Sequence, residues 1–368
     1  MRILVLSAAA GTGHVRAGDA LAGALREAGA EAAHVEVLGL APRWVCALYG
    51  RSFELLASRA PGVWRVLYEQ SDGERVDRAR WGPVAARTLF RRLRRLLGSR
   101  RWDYCLCTHF LPAQLLAGRG GAPPFGLVVT DFGLHRYWMQ PRVQDCFVAT
   151  PALAQAAALR LPRARVRALG IPTDPSFARL PAREAARREL GLDPGRPVAL
   201  VAGGGLGLGL EAAVGAALGA EVPGLQLVVV CGRNVSVRDR LERWGVPADR
   251  LRVVGYTHAM DRWMAAADVV VTKPGGLTTS EALVAGRPLI LTRPVPGHEQ
   301  ENARVLVGAE AALAAEGGGA LRAALVRFFG DPALRERLAA GGRRLAAPDA
   351  ARAIVGAVLE RGPARAVA

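Results

Sequence analysis

The sequence predicts an α/β protein of two Rossmann-like units, each built on a doubly wound parallel sheet, and three observations support this prediction. Strand-like apolar segments alternate with helix-like segments through the first half of the chain. A proline-rich connector, GIPTDPSFARLPA at residues 170–182, follows. The alternation then starts again at PVALVAGGG, residues 197–205. Such alternation is typical of parallel sheets with crossover helices. A chain of 368 residues is also longer than the usual domain with a single hydrophobic core, which favours two domains.

The first half contains a regular series of apolar segments that have the pattern of strands. They lie at residues 2–8, 32–40, 103–109, 125–130, 145–150 and 166–172. Helices are predicted over about 15–28, 43–70, 83–97 and 151–160. Together these segments predict an N-terminal domain over residues 1–172.

The second half predicts strands at residues 197–205, 225–233, 251–257, 267–273 and 288–293, with helices between them. We expect a C-terminal domain over 173–345 and a last helix and tail over 346–368. Two such sheets joined by a linker predict a cleft between the domains, with ligands at the carboxyl ends of the strands.

The composition restricts the partners and the cellular compartment. A net charge of +17 favours an anionic partner, namely an anionic membrane, a nucleic acid or an anionic substrate. No nucleic-acid-binding motif occurs, so we expect no nucleic acid partner. No apolar run reaches the roughly 20 residues that span a bilayer. The start, MRILVLSAAAG, reads as a first strand rather than a signal peptide. Five scattered cysteines are typical of reduced thiols in the cytosol.

The first glycine-rich turn is SAAAGTGHVRAG, residues 7–18. Gly11 and Gly13 permit a tight turn from strand to helix. Arg16 stands where a dinucleotide fingerprint has its third glycine, so we do not predict NAD binding. His14 opens the helix, where the helix dipole keeps an imidazole neutral and able to accept a proton from a hydroxyl. The alternative is that His14 only lines the turn.

A second candidate for acid–base chemistry follows the strand at 125–130. Asp131 ends this strand in VVTDFGLHRYWMQP, residues 128–141. A carboxylate at the carboxyl end of a strand can act as a base or can orient His14. The alternative is a turn or helix cap, a common role of aspartate.

The second glycine-rich turn, VAGGGLGLGLEAA at residues 201–213, opens the second unit. Bare backbone amides at a helix N-terminus suit a diphosphate. No Gly-Lys-Ser/Thr follows, so this is not a Walker loop. The candidate residues in this turn are Gly203, Gly204, Gly205 and Gly207.

A third anion-binding feature is TKPGGLTTSEAL, residues 272–283, which contains the chain's one lysine, Lys273. Gly275 and Gly276 form a turn after a strand, and the hydroxyls from Thr278 to Ser280 begin a helix. Amides and hydroxyls there predict an anion site. Glu281 can accept two hydrogen bonds from a ribose diol, or it can be a capping carboxylate.

A polar cluster that suits sugar hydroxyls follows in PVPGHEQENARV, residues 294–305. No Asp-x-Asp pair occurs in the chain, so we expect no metal and no cofactor. The protein's own cations and amides then neutralise the diphosphate.

These motifs resemble those of a known enzyme family. SAAAGTGH, GGGLGLG and, above all, TKPGGLTTSEAL with PVPGHEQEN are similar to the diacylglycerol glycosyltransferases of bacteria and plastids. This family includes monogalactosyldiacylglycerol synthase and the processive diacylglycerol glucosyltransferases, and it is related to the peptidoglycan N-acetylglucosaminyltransferase. The resemblance extends from residue 1 to about 345. It implies the GT-B fold and metal-free, inverting transfer of a sugar from a UDP-sugar to a lipid.

The resemblance also implies a role for individual residues. His14 matches the acceptor-side histidine, and Gly13 belongs to the same turn. VTDFGLHRYW is similar to the segment of the galactolipid synthases that holds an aspartate and a tryptophan, here Asp131 and Trp138. On the sugar-donor side, Glu281 matches the ribose-binding glutamate of the family. Gln300 and Glu301 match the pair that contacts the sugar. The segment from Thr257 through Met260 matches the uracil site.

Segment 44–101 has the composition of a membrane-contacting region. It is rich in aromatic residues, and arginines between 87 and 101 flank an apolar stripe of Leu89, Leu93, Leu96 and Leu97. Such segments suit an anionic membrane surface. For the helix at 83–97 we favour the alternative, a core-facing helix with a solvated basic face. Trp64 and Trp81, in the loop at 60–82, are the better candidates for contact with lipid.

The sequence therefore predicts an inverting glycosyltransferase that moves a hexose from a UDP-sugar to diacylglycerol, peripherally at the cytoplasmic face of the membrane. One alternative is transfer of N-acetylglucosamine to an undecaprenyl-linked peptidoglycan precursor. Another is a UDP-N-acetylglucosamine 2-epimerase, which has a similar fold and needs no acceptor.

Overall fold

The computed structural model describes residues 1–9, 11–46, 88–204 and 209–362. The chain forms two compact units. The first contains residues 1–174, 296–298 and the segment from Asp349 onward. The second contains residues 175–295 and 299–348. The predicted loop tryptophans Trp64 and Trp81 lie outside the described residues.

The first unit is built on a six-stranded, wholly parallel sheet. Its strands are β1 (Arg2–Ser7), β2 (Glu31–Glu36), β3 (Tyr104–Cys107), β4 (Phe125–Val128), β5 (Val143–Val148) and β6 (Arg165–Ala168). Their order is β2-β1-β3-β4-β5-β6. The central strands β3 and β4 are buried at every position, because helices cover both faces of a parallel sheet.

Four helices of this unit are α1 (Thr12–Glu27), α2 (Arg91–Ser99), α3 (Phe110–Ala117) and α4 (Pro151–Arg160). α1 buries Ala17, Leu21 and Leu25, whose spacing of four residues places them on one face. α4 has the predicted bounds, because the Thr150 hydroxyl accepts a hydrogen bond from the Leu153 amide and Pro151 occupies the first turn.

The second unit has its own six-stranded parallel sheet. Its strands are β7 (Val198–Ala202), β8 (Gln226–Val230), β9 (Leu251–Val254), β10 (Val269–Thr272), β11 (Leu289–Leu291) and β12 (Ala312–Ala314), in the order β12-β11-β10-β7-β8-β9. The edge strand β12 was not predicted, because it lies in an alanine-rich run, EAALAAEGG at residues 310–318, which lacks the β-branched residues typical of strands.

The helices of the second unit surround this sheet. They are α5 (Arg183–Glu189), α6 (Leu210–Leu218), α7 (Val235–Glu242), α8 (Met260–Ala266), α9 (Gly276–Val284), α10 (His298–Gly308), α11 (Gly318–Gly330) and α12 (Pro332–Leu345). The core between the sheet and α6, α11 and α12 contains Val201, Val214, Leu227, Leu325 and Phe328.

The last helix, α13 (Ala350–Leu359), packs against α1 in the first unit. Its residues Ile354, Val355 and Val358 are buried in one apolar cluster with Leu21 and Leu25. The first unit is therefore completed by chain that follows the second unit.

A buried polar network also ties this C-terminal segment to the first sheet. The Asp145 carboxylate, on β5, accepts a hydrogen bond from the Tyr104 hydroxyl and forms ion pairs with Arg165 at 2.9 Å and Arg361 at 2.8 Å. The Arg361 guanidinium also donates to the Gln144 side chain. Burial and Asp145 together raise the pKa of Tyr104 far above its usual range, so its hydroxyl stays protonated.

Helix α2 has the favoured arrangement, with an apolar face on the core. Leu93 and Leu97 are buried against the first sheet, and Leu89 and Leu96 pack beside them. The leucine stripe therefore belongs to the core and does not face a membrane. The exposed face carries Arg91, Arg92, Arg94 and Arg95. Within the described ranges, no helix is both long and apolar enough to cross a bilayer.

Each sheet has one topological switch point, where the strand order reverses. In the first unit it lies between β1 and β3, and in the second between β7 and β10. Open α/β sheets bind ligands outside the carboxyl ends of the strands at such points. The residues that follow these four strands are therefore the first to consider as site residues.

Candidate active site

The turn after β1 places His14 at the switch point of the first unit. Gly11 has a φ of +134°, a conformation that glycine adopts without strain, and it precedes the first residue of α1. Gly13 and His14 lie in the first turn of this helix. The histidine ring therefore stands beside the residues that follow β3.

Hydrogen bonds fix the tautomer of this histidine. Nδ1 of His14 lies 2.8 Å from the Thr108 carbonyl oxygen and 2.9 Å from the Thr130 hydroxyl. Because a carbonyl oxygen only accepts, Nδ1 carries the ring proton of the neutral form. Nε2 then holds the lone pair. The Thr108 hydroxyl also donates to the His14 carbonyl at 2.8 Å, so two bonds join these residues.

The surroundings of His14 favour the neutral ring but support a transient charge. Burial lowers its pKa below the usual 6.5. The negative charge of Asp131 and the bond to the Thr108 carbonyl oppose this shift, because both stabilise the protonated form. A ring that is neutral at rest and is helped to hold a proton is suited to general-base chemistry. Asp131 is thus close enough to act on His14.

An aromatic wall flanks the histidine. The His109 ring meets the His14 ring edge to face, with centroids 4.6 Å apart, and Trp138 lies 6.3 Å from both rings. Trp138 ends a short 3-10 helix, Arg136–Trp138, and is only 4% exposed. The Trp138 side chain is therefore packed in the core of the first unit, beside His14 and His109.

His109 is a site residue that the sequence did not single out. Its Nδ1 accepts a hydrogen bond from the Leu111 amide at 3.0 Å and so caps α3. Burial, and the neighbouring His14, hold the pKa of His109 well below its usual value. His109 directly follows Thr108 at the end of β3. Because β3 lies next to β1 in the sheet, this position brings His109 close to His14.

In the second unit, the glycine turn after β7 begins at Gly203. Gly204 has a φ of +65°, and Gly209 precedes α6 with a φ of +74°. These are left-handed conformations that favour glycine. The predicted residues Gly205 and Gly207 lie outside the described residues.

Lys273 stands opposite this turn, directly after β10. A Cβ placed on Gly204 would lie 3.3 Å from Cε of Lys273, so the lysine stem occupies the space that the glycine leaves. Its Nζ is 2.5 Å from Oε1 of Glu299. The second oxygen of Glu299 accepts a hydrogen bond from the Val295 amide at 2.8 Å.

Helix α9 begins beside Lys273 and has an N-terminus without a side-chain cap. Gly275 precedes the helix in an extended conformation. The first amides of a helix have no intrahelical partners, so they suit an anion. The hydroxyls of Thr279 and Ser280 donate to the carbonyls of Gly275 and Gly276 at 2.8 and 2.7 Å. The prediction that these two hydroxyls face an anion is therefore wrong.

The remaining predicted residues lie near the same edge of the second sheet. Glu281 is in the second turn of α9 and is 3% exposed. Thr257, after β9, accepts a hydrogen bond from the Ala259 amide at 3.0 Å, and α8 begins at Met260. Thr278 is half-buried in the first turn of α9.

The first turn of α10 separates two sets of polar side chains. Glu299 and Asn302 are buried, and the Asn302 amide donates to the Pro274 carbonyl at 2.9 Å. Gln300 is exposed, and Glu301 pairs with Arg304 on the surface at 2.5 Å, which lowers the pKa of its carboxyl. Among the residues that the structure describes, no group of three or more His, Cys, Asp and Glu side chains is arranged to hold a metal ion.

Solved structures share the fold at low sequence identity. MurG from Acinetobacter baumannii aligns with a TM-score of 0.62 and 19% identity, over 98% of this chain and 100% of that one. UDP-GlcNAc 2-epimerase from Neisseria meningitidis aligns with a TM-score of 0.63 and 12% identity, over 98% and 100%. The fold is GT-B, and it does not by itself separate a transferase from an epimerase.

Sequence comparisons make that separation. The family model described as Monogalactosyldiacylglycerol (MGDG) synthase matches residues 14–173, and the Glycosyltransferase family 28 C-terminal domain matches residues 198–318. The first match includes His14, Asp131 and Trp138, and the second includes most of the second unit. The enzyme class that they indicate is a glycosyltransferase.

Individual relatives agree with the family models. The probable monogalactosyldiacylglycerol synthase 2 of Oryza sativa subsp. indica is 31% identical in an alignment 331 residues long, which covers 83% of this chain and 68% of that protein. The processive diacylglycerol beta-glucosyltransferase of Staphylococcus carnosus is 36% identical over 183 residues, 49% of this chain and 46% of that protein. The chain therefore belongs to the monogalactosyldiacylglycerol synthase family of GT-B glycosyltransferases.

Proposed function

We propose that this enzyme transfers a hexose from a UDP-sugar to the hydroxyl of diacylglycerol, with inversion at the sugar C1. The observation that carries the proposal is the His14 ring, whose proton is held on Nδ1 by the Thr108 carbonyl while Nε2 keeps its lone pair. Family membership supports the same reaction, because the relatives' names specify diacylglycerol glycosyl transfer.

The acceptor half of the reaction uses the first unit. Nε2 of His14 takes the proton of the acceptor hydroxyl as its oxygen bonds to C1 of the sugar. The bond between C1 and the diphosphate oxygen breaks, and UDP leaves. Asp131 stabilises the positive charge that the ring acquires, since its charge favours the protonated form. His14 is thus the base, and Asp131 is its charge partner.

The donor half uses the second unit. The uncapped amides of α9, the turn at Gly203 and Gly204, and the Lys273 ammonium offset the charge that develops on UDP. These groups act without a metal or a cofactor.

The remaining donor contacts follow the family motif. Glu281 receives the ribose diol, and the uracil lies near Thr257 and Met260. Gln300 and Glu301 contact the hexose. Gln300 is exposed, and Glu301 is partly exposed beside Arg304, so both residues lie at the surface of α10.

The lipid acceptor lies in a membrane, so the enzyme needs access to one. We propose that the enzyme binds peripherally, at the cytoplasmic face of the membrane. The four exposed arginines of α2 form a basic surface on the first unit. Trp44, which is 61% exposed, adds an aromatic side chain in that unit. Basic and aromatic side chains suit the headgroup region of an anionic membrane. Because the sequence has no nucleic-acid-binding motif, we expect this basic surface to bind a membrane rather than a nucleic acid.

Two alternatives change the substrate but keep the fold. Transfer to an undecaprenyl-linked peptidoglycan precursor would change the acceptor, and a 2-epimerase would need none. The family match over residues 14–173 lies in the unit that holds His14, and it favours diacylglycerol over both.

The test uses purified protein and radiolabelled UDP-galactose, UDP-glucose or UDP-N-acetylglucosamine with vesicles that contain diacylglycerol. We expect label in the lipid phase only when diacylglycerol is present. Release of UDP only with the peptidoglycan precursor would contradict the diacylglycerol proposal. Interconversion of the UDP-sugar without any acceptor would instead indicate an epimerase.

A further inference from the structure

Glu299 is a buried carboxylate at the donor site to which no role has been given. Its side chain is 2% exposed, and its two oxygens meet different partners, Nζ of Lys273 at 2.5 Å and the Val295 amide at 2.8 Å. Burying a carboxylate costs several kcal/mol unless a cation and hydrogen bonds compensate it. The pair is therefore worth a functional explanation.

Glu299 joins three segments at the switch point of the second unit. Lys273 follows β10, Val295 follows β11, and Glu299 lies in the first turn of α10. The stem of Lys273 passes 3.3 Å from the Cβ position of Gly204, in the turn after β7. The ammonium is thus held between that turn and α10. A lysine without such an anchor would sample many rotamers, because its side chain is long and flexible.

We propose that Glu299 is a positioning residue that fixes the Lys273 ammonium beside the glycine turn, where it meets the diphosphate of the sugar donor. This inference rests on the proposed function. It gives Glu299 a role through Lys273.

The same geometry explains why this position holds the chain's one lysine. An arginine fork binds a carboxylate best through both of its oxygens. Here Oε2 of Glu299 is already bonded to the Val295 amide, which leaves one oxygen for the cation. The close approach at Gly204 also restricts a bulkier side chain. A compact ammonium satisfies both restrictions.

The first test is Glu299→Gln, measured as the affinity for UDP and for uridine. Glutamine can keep the bond to Val295 through its carbonyl, but its amide group then points donors at the ammonium. We expect UDP affinity to fall about tenfold, as for one lost charge-assisted contact, and uridine affinity to stay constant. Uridine has the base and the ribose but no phosphate. The difference between its binding and that of UDP therefore measures the contribution of the diphosphate, which Lys273 contacts in this proposal.

A double-mutant cycle with Lys273→Met separates positioning from direct contact. If Glu299 acts through Lys273, adding Glu299→Gln to Lys273→Met will cause no further loss of UDP affinity. The matched control is Glu336→Gln, a surface glutamate of the same unit that pairs with Arg343 at 2.6 Å. Its UDP affinity should equal that of the wild type.

Lys273→Arg is a second variant that keeps both charges and so guards against misfolding of the first. It should also bind UDP more weakly and uridine equally. The inference would be overturned if folded Glu299→Gln bound UDP as tightly as the wild type does, or if it lost as much affinity for uridine as for UDP. It would also be overturned if Glu299→Gln reduced UDP affinity equally in the wild type and in Lys273→Met. A wild-type protein that binds no UDP would overturn the proposed function, and this inference with it.

Discussion

The Thr108 carbonyl oxygen lies 2.8 Å from Nδ1 of His14, and this contact crosses the switch point between β1 and β3. The second unit has a similar relationship, because Lys273 follows β10 and its stem packs on Gly204 after β7. In each unit, the segment after the first strand contacts the residue that directly follows the strand on the other side of the switch point. The two candidate half-sites thus follow from one topological rule.

Replacement of His14 by alanine should remove the general base. We expect the turnover number to fall by about 10² to 10⁴, the usual contribution of such a base. UDP affinity should not change, since the groups that we propose to bind the donor lie in the second unit. Steady-state rates and UDP titrations measure the two effects. Near-full turnover in His14→Ala would rule out this base.

Asp131→Asn should shift the pH dependence in a defined direction. The charge of Asp131 raises the pKa of His14 against the larger lowering by burial, so its loss lowers that pKa further. The acid limb of kcat/KM, where the ring becomes protonated, should move to lower pH. Turnover at neutral pH should fall about tenfold, because the imidazolium formed in the reaction loses its partner. An acid limb that moves to higher pH would contradict this account.

Gly204→Ala should weaken UDP binding and destabilise the second unit. The φ of +65° costs an alanine about 1 kcal/mol, and its methyl group would lie 3.3 Å from the Lys273 stem. UDP affinity and thermal unfolding report the two effects. The control is Gly319→Ala in α11, where a methyl group meets nothing within 4 Å and should be neutral or stabilising.

Substitution of the exposed arginines of α2 by glutamine should reduce binding to anionic vesicles. Each arginine near such a surface contributes about 1 kcal/mol, so the variant of Arg91, Arg92, Arg94 and Arg95 should lose vesicle binding at low salt. Sedimentation with phosphatidylglycerol and phosphatidylcholine vesicles measures this. A control with equal charge replaces exposed arginines of the second unit, namely Arg322, Arg327, Arg337 and Arg343. Equal losses in both variants would show that only net charge matters.

Asp145→Ala should destabilise the first unit by about 3 kcal/mol or more, because it leaves the buried Tyr104 hydroxyl without its acceptor and removes the anchor of Arg361. Urea unfolding measures the change. Asp349→Ala, which removes a 3.9 Å surface pair with Arg352, should cost less than about 1 kcal/mol. A cost for Asp145→Ala as small as that of Asp349→Ala would show that the network adds little to stability.

The sequence patterns predicted the sheet strands well wherever the strands are long and apolar. The alternation of strands and helices was enough to place Lys273 at the end of one strand and His14 at the start of the helix that follows another, because parallel crossovers bring all carboxyl ends to one edge. Strand β12 was missed because its alanine-rich segment lacks the β-branched residues that mark the other strands.

Side-chain directions were the part that the patterns could not provide. Glu299 and Glu301 are neighbours on one helix, yet the first is buried against Lys273 and the second pairs with a surface arginine. Which of them faces inward depends on the rotation of α10 about its axis, which tertiary packing sets. His109 was missed for a similar reason, since only the order of β1 and β3 brings it to His14.

The docking of α13 on α1 has a consequence for synthesis of the protein. Ile354, Val355 and Val358 of α13 complete a cluster whose buried members from the rest of the first unit lie between Ile3 and Phe147. A ribosome makes most of the first unit early, but it makes α13, which covers part of that unit, only after the whole second unit. During translation the apolar face of α1 is therefore uncovered while the second unit emerges and folds. A nascent chain that stops before Asp349 should depend on chaperones more than the finished enzyme does.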